Sequence, residues 1–226
     1  MRTLVIGDLH LPAVHPKYLK FILDMQDWWK PDRIVFIGDV VDIHQISRHQ
    51  ADSQAKDSQR EYEEALAAVD EWHCYFPKAH VTIGNHDERI TRMASTVKIP
   101  PVYLKDYADV WNTPGWKWVR ELEIDGVHYT HGTGTGGQNP SWRAAMHRMQ
   151  STVLGHHHSQ AGVHWLAGPT QRVFGMDVGC GVDIEHVAMR YGANLLRKPV
   201  LGCGVVIDGI PYHEIMPCGK KERYRR

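Results

Sequence analysis

The sequence predicts an α/β fold, because short apolar strands alternate with an amphipathic helix from its first residues onward. Residues 3–6 and 33–37 are apolar runs that each stop at a glycine, as buried strands often do. Between them, residues 16–30 repeat apolar side chains at helical spacing until Pro31. A right-handed connection makes two such strands parallel and places their carboxyl ends on one edge of a sheet. Polar residues that follow these strands are therefore expected to meet.

Further helices follow from the same periodicity. Helical spacing recurs at 60–76 and, more loosely, at 90–97. Another helix is predicted from Asn139 to residue 150, because an Asn-Pro pair suits a helix start. Residues 47–57 are polar and predict either a loop or a frayed helix start.

The second half of the chain is richer in strands than in helices. Asp125-Gly126 separates two alternating runs within 121–130, which predicts a β-hairpin. Residues 107–118 are rich in tryptophan but show no clean period, so they predict an irregular connector. The other predicted strands are 81–83, 152–154, 163–166, 172–176, 204–207 and 212–215.

Composition indicates a soluble domain without a general attraction for nucleic acid or membrane. Lys plus Arg equals Asp plus Glu at 26 each, so any nucleic-acid contact needs a local patch. The four cysteines show no paired spacing, and no apolar run reaches the length of a membrane span. These features predict a cytoplasmic protein with no membrane partner, and they leave its oligomeric state open. With no repeat and no long linker, one domain is expected over 1–219, with a solvated basic tail at 220–226.

Five predicted strands are followed by side chains that commonly bind metals. In chain order these are Asp8, His10, Asp39, Asp42, Asn85, His86, His131, His156 and His158. Open α/β sheets place their ligand sites at the carboxyl ends of strands. Carboxylate, imidazole and amide ligands together suit Mn, Fe or Zn. They are too many for one tetrahedral zinc and enough for two ions that share a carboxylate, although spacing does not identify the shared one.

Five short motifs, in order, resemble those of the calcineurin-like metallophosphoesterase family. They are Gly-Asp-Leu-His at 7–10, Gly-Asp-Val-Val-Asp at 38–42, Gly-Asn-His-Asp at 84–87, His-Gly at 131–132 and Gly-His-His-His at 155–158. The resemblance implies a layered α/β fold, with a central two-sheet β-sandwich flanked by helices. It also implies two divalent ions, Mn²⁺ first with Fe, Zn or Ni as alternatives. A phosphate-ester substrate would be hydrolysed by in-line attack of a metal-bridging hydroxide.

The resemblance further implies a role for each side chain. The implied ligands are Asp8, His10 and His158 for one ion, Asn85, His131 and His156 for the other, and Asp39 between them. His86 would lie over the substrate as proton donor or phosphate ligand, steadied by Asp42. A carboxylate beside a histidine favours the protonated imidazole that a leaving-group acid requires. In an extended segment 155–158, His156 and His158 would share one face and His157 would point away.

The other histidines, three tryptophans and one glycine-rich loop have simpler, structural interpretations. A lone histidine is more often structural, and this reading is kept for His44, His49, His128, His147, His157 and His164. Trp111, Trp116 and Trp118 could stack on a nucleobase, but packing in the core is favoured. Residues 132–137 form a Gly/Thr-rich loop without the Gly-Lys-Ser/Thr ending of a phosphate loop. A flexible rim or lid is the expected role of this loop.

Substrate preference rests on one departure from the family pattern. The protein Ser/Thr phosphatase branch has an Arg-Gly pair after its second motif, where this chain has Ile43-His44. A guanidinium fork benefits a dianionic monoester more than a monoanionic diester. The sequence therefore favours a phosphodiester substrate, either a nucleotide or a nucleic acid. The alternatives are a phosphomonoesterase or protein phosphatase, and a non-catalytic binding module on the same scaffold. A substitute fork could come from Arg89, Arg92, Arg143 or Arg148.

Overall fold

The computed structural model describes residues 1–46, 57–186 and 196–217, which form two β-sheets with helices packed against them. The strands are β1 (Arg2–Ile6), β2 (Arg33–Phe36), β3 (Ala79–Thr82), β4 (Trp116–Val119), β5 (Glu121–Ile124), β6 (Val127–Thr130), β7 (Thr152–Leu154), β8 (Ala161–Ala167), β9 (Arg172–Val178), β10 (Gly202–Ile207) and β11 (Ile210–Ile215). The α-helices are α1 (Tyr18–Trp29), α2 (Ser58–Tyr75), α3 (Arg89–Thr96), α4 (Tyr107–Val110) and α5 (Pro140–Arg148). Most of the polar stretch 47–57, with His49, and the tail 220–226 lie outside the described residues.

The first sheet has the strand order β11-β10-β1-β2-β3-β4. Strands β1 to β4 are parallel to one another, and β10 runs antiparallel to β1. Helix α1 connects β1 to β2, as the strand–helix–strand pattern predicts. The carboxyl ends of four strands therefore lie along one edge of this sheet.

The second sheet has the strand order β5-β6-β7-β9-β8. Its inner strands β6, β7 and β9 are parallel, and the two outer strands are antiparallel to their neighbours. The predicted hairpin connects β5 to β6 through Asp125 and Gly126, whose φ angles are 52° and 76°. Two positive φ angles are typical of the tight turn that Asp-Gly pairs favour.

Alternate residues of the central strands face two different cores. In β1, Leu4 and Ile6 pack with α1 and α2, whereas Val5 packs between the two sheets. In β10, Val205 and Val206 divide in the same way. Strands buried on both faces need apolar residues at every position, which explains the continuous apolar runs of the sequence. The structure confirms the predicted layered sandwich flanked by helices.

The tryptophan-rich segment 107–118 differs from its prediction as a connector. It begins with α4 and ends in β4, which pairs with β3. Trp116 enters the core and Lys117 is exposed, so the alternation of a strand is present but lasts only four residues. Trp111 and Trp116 are buried, which confirms core packing over nucleobase stacking for these two.

Within the described residues, no helix is both long enough and apolar enough to cross a membrane.

Candidate metal centre

The two sheets bring the carboxyl ends of β1, β2, β3, β6 and β7 to one place. His131, after β6, lies with its Nδ1 2.9 Å from the carbonyl oxygen of Ile37, after β2. The backbone N–H of His156, after β7, donates to Asp8 Oδ2, after β1, at 2.9 Å. These contacts join the sheets where the predicted site residues converge.

Glycines at the strand ends allow this close approach. A Cβ atom at Gly84 would overlap the Asp39 carboxylate, and one at Gly155 would overlap the Asp8 carboxylate. Only a residue without a side chain lets two strand ends carry functional groups this close together. The glycine that ends an apolar run is thus a requirement of the site as much as of the turn.

The described residues include three polar clusters of this kind, and the first contains Asp8, His10, Asp39 and His158, with one donor atom of each residue within 4.8 Å of the others. His10 Nε2 lies 3.1 Å from His158 Nε2, and His158 Nε2 lies 3.1 Å from Asp8 Oδ2. All four residues are among the predicted metal ligands.

The second cluster contains Asp39, His131 and His156, again with donor atoms within 4.8 Å. Asn85 belongs beside it, because its Oδ1 lies 3.1 Å from His131 Nε2. Asp39 is common to both clusters. Its Oδ2 is 3.5 Å from His10 Nε2 and 3.2 Å from His131 Nε2, so one carboxylate oxygen lies between two imidazoles.

A third group places Asp42 between two histidines. Asp42 Oδ1 is 3.1 Å from His10 Nδ1 and 2.6 Å from His86 Nδ1. A carboxylate that binds one ring nitrogen fixes the direction of the other. Asp42 thereby directs His10 Nε2 into the first cluster and leaves His86 Nε2 for other contacts. Burial lowers the pKa of His86, but the carboxylates of Asp39 and Asp42 leave it above its ordinary value.

The donor set fits divalent cations. Asp8 Oδ1 is buried with no hydrogen-bond partner among the described residues. Buried polar atoms without partners are costly, and their convergence with other acceptors is what a cation would satisfy. Carboxylate and imidazole together are ligands for first-row transition ions.

The histidines of the second cluster have opposite electrostatic environments. Burial lowers the pKa of His131, but the carboxylates of Asp39 and Asp8 outweigh it and raise the pKa to about 10. Burial and the neighbouring His131 lower the pKa of His156 to about 4. One protonated imidazole thus balances the two carboxylates, and a cation bound there would have to replace that proton.

Several site residues have left-handed backbones. The φ angles of His10, Asp39, Ile43 and His156 are 51°, 47°, 48° and 66°. This region is sparsely populated by residues other than glycine and is rarest for β-branched ones such as Ile43. Strained backbones of this kind concentrate at functional sites, where surrounding contacts hold them.

The segment 155–158 brings His156 and His158 to neighbouring clusters, as predicted, but its backbone is not extended. It is a tight turn instead of an extended run, with the His157 N–H donating to the Gly155 carbonyl oxygen at 2.7 Å. His156 and His158 still join different clusters that share Asp39. His157 turns away from both, and its Nε2 lies 2.8 Å from Thr135 Oγ1. The turn could not be predicted from the sequence, because no local pattern indicates the left-handed backbone of His156.

Arg89 is the one of the four arginines considered above that contacts these clusters. Its Nη1 donates to the carbonyl oxygens of Asp42 and Ile43 at 2.6 and 2.8 Å, and its Nη2 lies 3.2 Å from His86 Nε2. By contrast, Arg143 donates to the Gly136 carbonyl, and the remaining two are at the surface.

Asp87 is a further residue of the site that the sequence analysis left without a role. It is buried and accepts N–H groups from Gly84 at 2.8 Å and from Val41 at 3.2 Å. It therefore ties the loop after β3 to the loop after β2. Burial, followed by the nearby Asp39, raises the pKa of Asp87 to about 7. The signal available for it was its place directly after Asn85 and His86.

His44 and the loop 132–137, to which the sequence assigned no metal-binding or catalytic role, lie near the site. His44 Nδ1 is 3.8 Å from Asp42 Oδ2. The loop 132–137 is held by hydrogen bonds, because Thr135 donates to the Gly132 carbonyl and the Gly136 carbonyl accepts from α5. These contacts define where the loop lies, and its expected role as a flexible rim or lid stays a prediction.

Comparison with known proteins supplies a family and several similar folds. The model of a family described as calcineurin-like phosphoesterase matches residues 1–184, which include every predicted site residue. No curated protein matches the sequence.

Solved structures are similar at low sequence identity. Vps29 of Chaetomium thermophilum is 11% identical, with 98% of this chain and 91% of that one covered and a TM-score of 0.50. Yfce, a phosphoesterase from E. coli, is 13% identical, with coverage of 92% and 88% and a TM-score of 0.41. The nuclease MPE of Pseudomonas putida is 11% identical, with coverage of 93% and 86% and a TM-score of 0.46. At these identities the likeness concerns the fold alone.

Proposed function

Because the chain belongs to the calcineurin-like phosphoesterase family, we propose that it hydrolyses phosphate esters with two divalent ions held at the strand ends. The observation that carries this proposal is the position of Asp39. A single carboxylate oxygen, Oδ2, lies 3.5 Å from His10 and 3.2 Å from His131, which belong to separate clusters. A carboxylate shared by two clusters is what a pair of adjacent ions requires.

The proposed ligands follow the two clusters. They are Asp8, His10 and His158 for one ion, Asn85, His131 and His156 for the other, and Asp39 as the bridge. Mn²⁺ is our first choice of metal, with Fe, Zn or Ni as alternatives, because the set mixes hard oxygen with imidazole nitrogen. When bound, the two ions would activate the attacking water and neutralise charge on the phosphoryl group.

His86 is proposed as the proton donor to the leaving group. Asp42 Oδ1 lies 2.6 Å from its Nδ1, which orients the ring and stabilises its protonated form. The other ring nitrogen, Nε2, lies 3.2 Å from Arg89 Nη2. When His86 is protonated, both groups present N–H donors to the same space, so an anionic oxygen there would accept from both.

The anchoring of Arg89 supports a phosphodiester substrate. Its Nη1 already donates to the carbonyl oxygens of Asp42 and Ile43. The guanidinium therefore offers one arm to the substrate, where a bidentate fork on a dianionic monoester would need two. A diester, with one charge at the scissile phosphate, requires less.

The test compares two chromogenic substrates on the same protein. Metal is stripped and Mn²⁺ restored, and turnover of bis-p-nitrophenyl phosphate and p-nitrophenyl phosphate is measured. We expect diester turnover well above monoester turnover. The reverse order would show a phosphomonoesterase. Turnover of neither, under every metal loading, would contradict the proposed function and favour a binding module on the same scaffold.

A further inference from the structure

A groove lies beside the candidate metal centre, at the outer end of the same sheet edge. It has a volume of about 620 Å³ and is bounded by α3, the segment 98–107 and Arg120; we call it the α3 groove. Its lining includes Arg92, Lys98 and Lys105 as well as apolar side chains from the segment 98–107. None of these residues belongs to the proposed metal or proton-donor groups.

The sheet places the α3 groove next to the scissile position. Strand β4 is parallel to β3, and the Ile83 N–H donates to the Val119 carbonyl at 2.8 Å. The backbone at Arg120 therefore lies one strand spacing, about 4.8 Å, from the backbone at the end of β3, which leads to Asn85 and His86. The other wall, α3, starts at Arg89, whose Nη2 contacts His86. One wall of the groove is thus continuous in the chain, through the start of α3, with the loop that carries Asn85 and His86.

The charges in the α3 groove are unbalanced. Glu88 is paired with Arg120 at 3.0 Å. Arg92, Lys98 and Lys105 make no ion pair within the described part of the chain, and Asp106 is the one lining carboxylate left to oppose them. The whole chain, in contrast, balances 26 basic and 26 acidic residues. This local excess is the kind of patch that an otherwise neutral protein needs to hold a polyanion.

The groove combines these cations with apolar surface. Ile99, Pro101 and Leu104 are among its lining residues, and Tyr103, which precedes Leu104 in the chain, is 78% exposed. Basic side chains that follow a backbone, with apolar and aromatic surface for the bases, are the usual means of binding a single strand. None of the proposed metal ligands lines the groove, so its cations are not needed to hold a small phosphate ester at the metal centre.

We propose that the α3 groove binds the phosphodiester chain of a single-stranded nucleic acid whose scissile phosphate lies at the metal centre. The proposal rests on the proposed function for its account of the scissile end. It adds a substrate class and a second set of contacts, in which Arg92, Lys98 and Lys105 neutralise phosphates beyond the reacting one. A nucleotide with a single phosphate would use none of them.

The test removes the groove charges together, in the variant Arg92→Gln/Lys98→Gln/Lys105→Gln. Its substrates are bis-p-nitrophenyl phosphate and a labelled oligothymidylate of about twelve nucleotides, which spans a typical single-strand site. At roughly 0.1 M salt we expect kcat/KM for the oligonucleotide to fall about tenfold or more, with the small diester unchanged within about twofold. The logarithmic salt dependence of oligonucleotide binding should become shallower by about 2, because three phosphate contacts are lost at about 0.7 each.

The matched control removes the same charge elsewhere, in the variant Lys20→Gln/Lys30→Gln/Lys78→Gln. Lys30 and Lys78 precede β2 and β3, at the opposite edge of the sheet. An equal loss of oligonucleotide turnover in both triple variants would overturn the proposal, because the effect would then be one of overall charge. Unchanged oligonucleotide turnover in the groove variant would overturn it as well.

Binding of the labelled oligonucleotide to the metal-free protein, followed by fluorescence anisotropy, separates the two proposals. If the wild-type protein hydrolyses neither substrate, the proposed function fails. The anisotropy measurement still tests whether the α3 groove binds the oligonucleotide. Weaker binding by the groove variant, and not by the control, supports the inference. Equal binding by all three proteins, or no binding by any, overturns it.

Discussion

Among the described residues, buried carboxylates occur in two regions, the candidate metal centre and the junction between β9 and α5. Asp8 represents the first and Asp177 the second, and each has one buried oxygen without a hydrogen-bond partner among the described residues. Burial favours the neutral acid in both places. Yet the pKa of Asp8 is lowered, despite burial, by His131 and His158, whereas burial raises the pKa of Asp177 to about 6.

The difference lies in the neighbours. Asp8 lies among imidazoles that supply positive charge, and its cluster converges on one point. Asp177 instead accepts a hydrogen bond from the Ser141 hydroxyl in the first turn of α5. Asn139, the N-cap residue of that helix, makes no side-chain capping bond, and the bond between Ser141 and Asp177 attaches the first turn of α5 to the second sheet. An unpartnered buried oxygen is therefore not enough to indicate a metal site; convergent donors of complementary charge are needed.

The sharpest test of this comparison is Asp39→Asn. The neutral amide cannot serve as a bridging carboxylate, so we expect metal content to fall and turnover of the chromogenic diester to drop to background. Elemental analysis and initial rates measure both effects. Asp177→Asn is the matched control and should keep metal and activity. Full metal content in Asp39→Asn would show that the carboxylate of Asp39 is no more necessary for metal binding than that of Asp177.

Within the metal centre, His86→Ala should separate proton donation from metal binding. We expect it to retain its metal and to lose about 100- to 10,000-fold in rate on substrates with poor leaving groups, the usual contribution of a general acid. The loss should be smaller with p-nitrophenyl esters, which need no protonation. His164→Ala, at the surface, is the control. If His86→Ala is also depleted of metal, His86 has been given the wrong role.

Metal loading should release protons, because His131 has a raised pKa in the metal-free protein and must lose its proton to bind an ion. About one proton per protein is expected near neutral pH. His156, with a pKa of about 4, contributes none. Titration calorimetry in two buffers of different ionisation enthalpy measures the release. Identical heats in both buffers would show that His131 is already neutral.

The smallest expected effect concerns stability at the β9–α5 junction. The pKa of Asp177 is about 6 in the folded protein, against an ordinary value of 3.8 for an aspartic acid, so the folded state holds the proton more tightly. This contribution to stability is complete below pH 3.8 and is lost as pH rises through 6, up to about 3 kcal/mol. Asp177→Asn should therefore flatten the pH dependence over that window, measured by urea unfolding. An unchanged slope would contradict the raised pKa.

Much of the candidate site could be predicted because its signals are local. The motif at 84–87 is a run of adjacent residues at the end of a strand, and the chirality of the connections places such ends on one sheet edge. The hairpin at Asp125-Gly126 could equally be predicted from the sequence, because its turn depends on two adjacent residues. The expectation that the polar residues after β1, β2 and β3 meet followed from this edge, whereas His131, after β6 of the second sheet, joins them through the packing of the two sheets.

Other features had no local signal. Strand β4 has only four residues, and its pairing with β3 depends on contacts made after folding. The left-handed turn at His156 is held by Asp8, which is 148 positions away in the chain. The direction of Arg89 depends on the carbonyl oxygens of Asp42 and Ile43, which no spacing rule connects to it.

The sequence by itself determined which chemical groups are available and on which strand ends they lie, because strand termination and sheet handedness follow from neighbouring residues. Only the tertiary structure decided that Asp39 lies between two imidazoles, that Arg89 faces His86 and that three cations with no ion pair among the described residues line one groove. These arrangements depend on packing between distant segments, whose distances no local pattern contains.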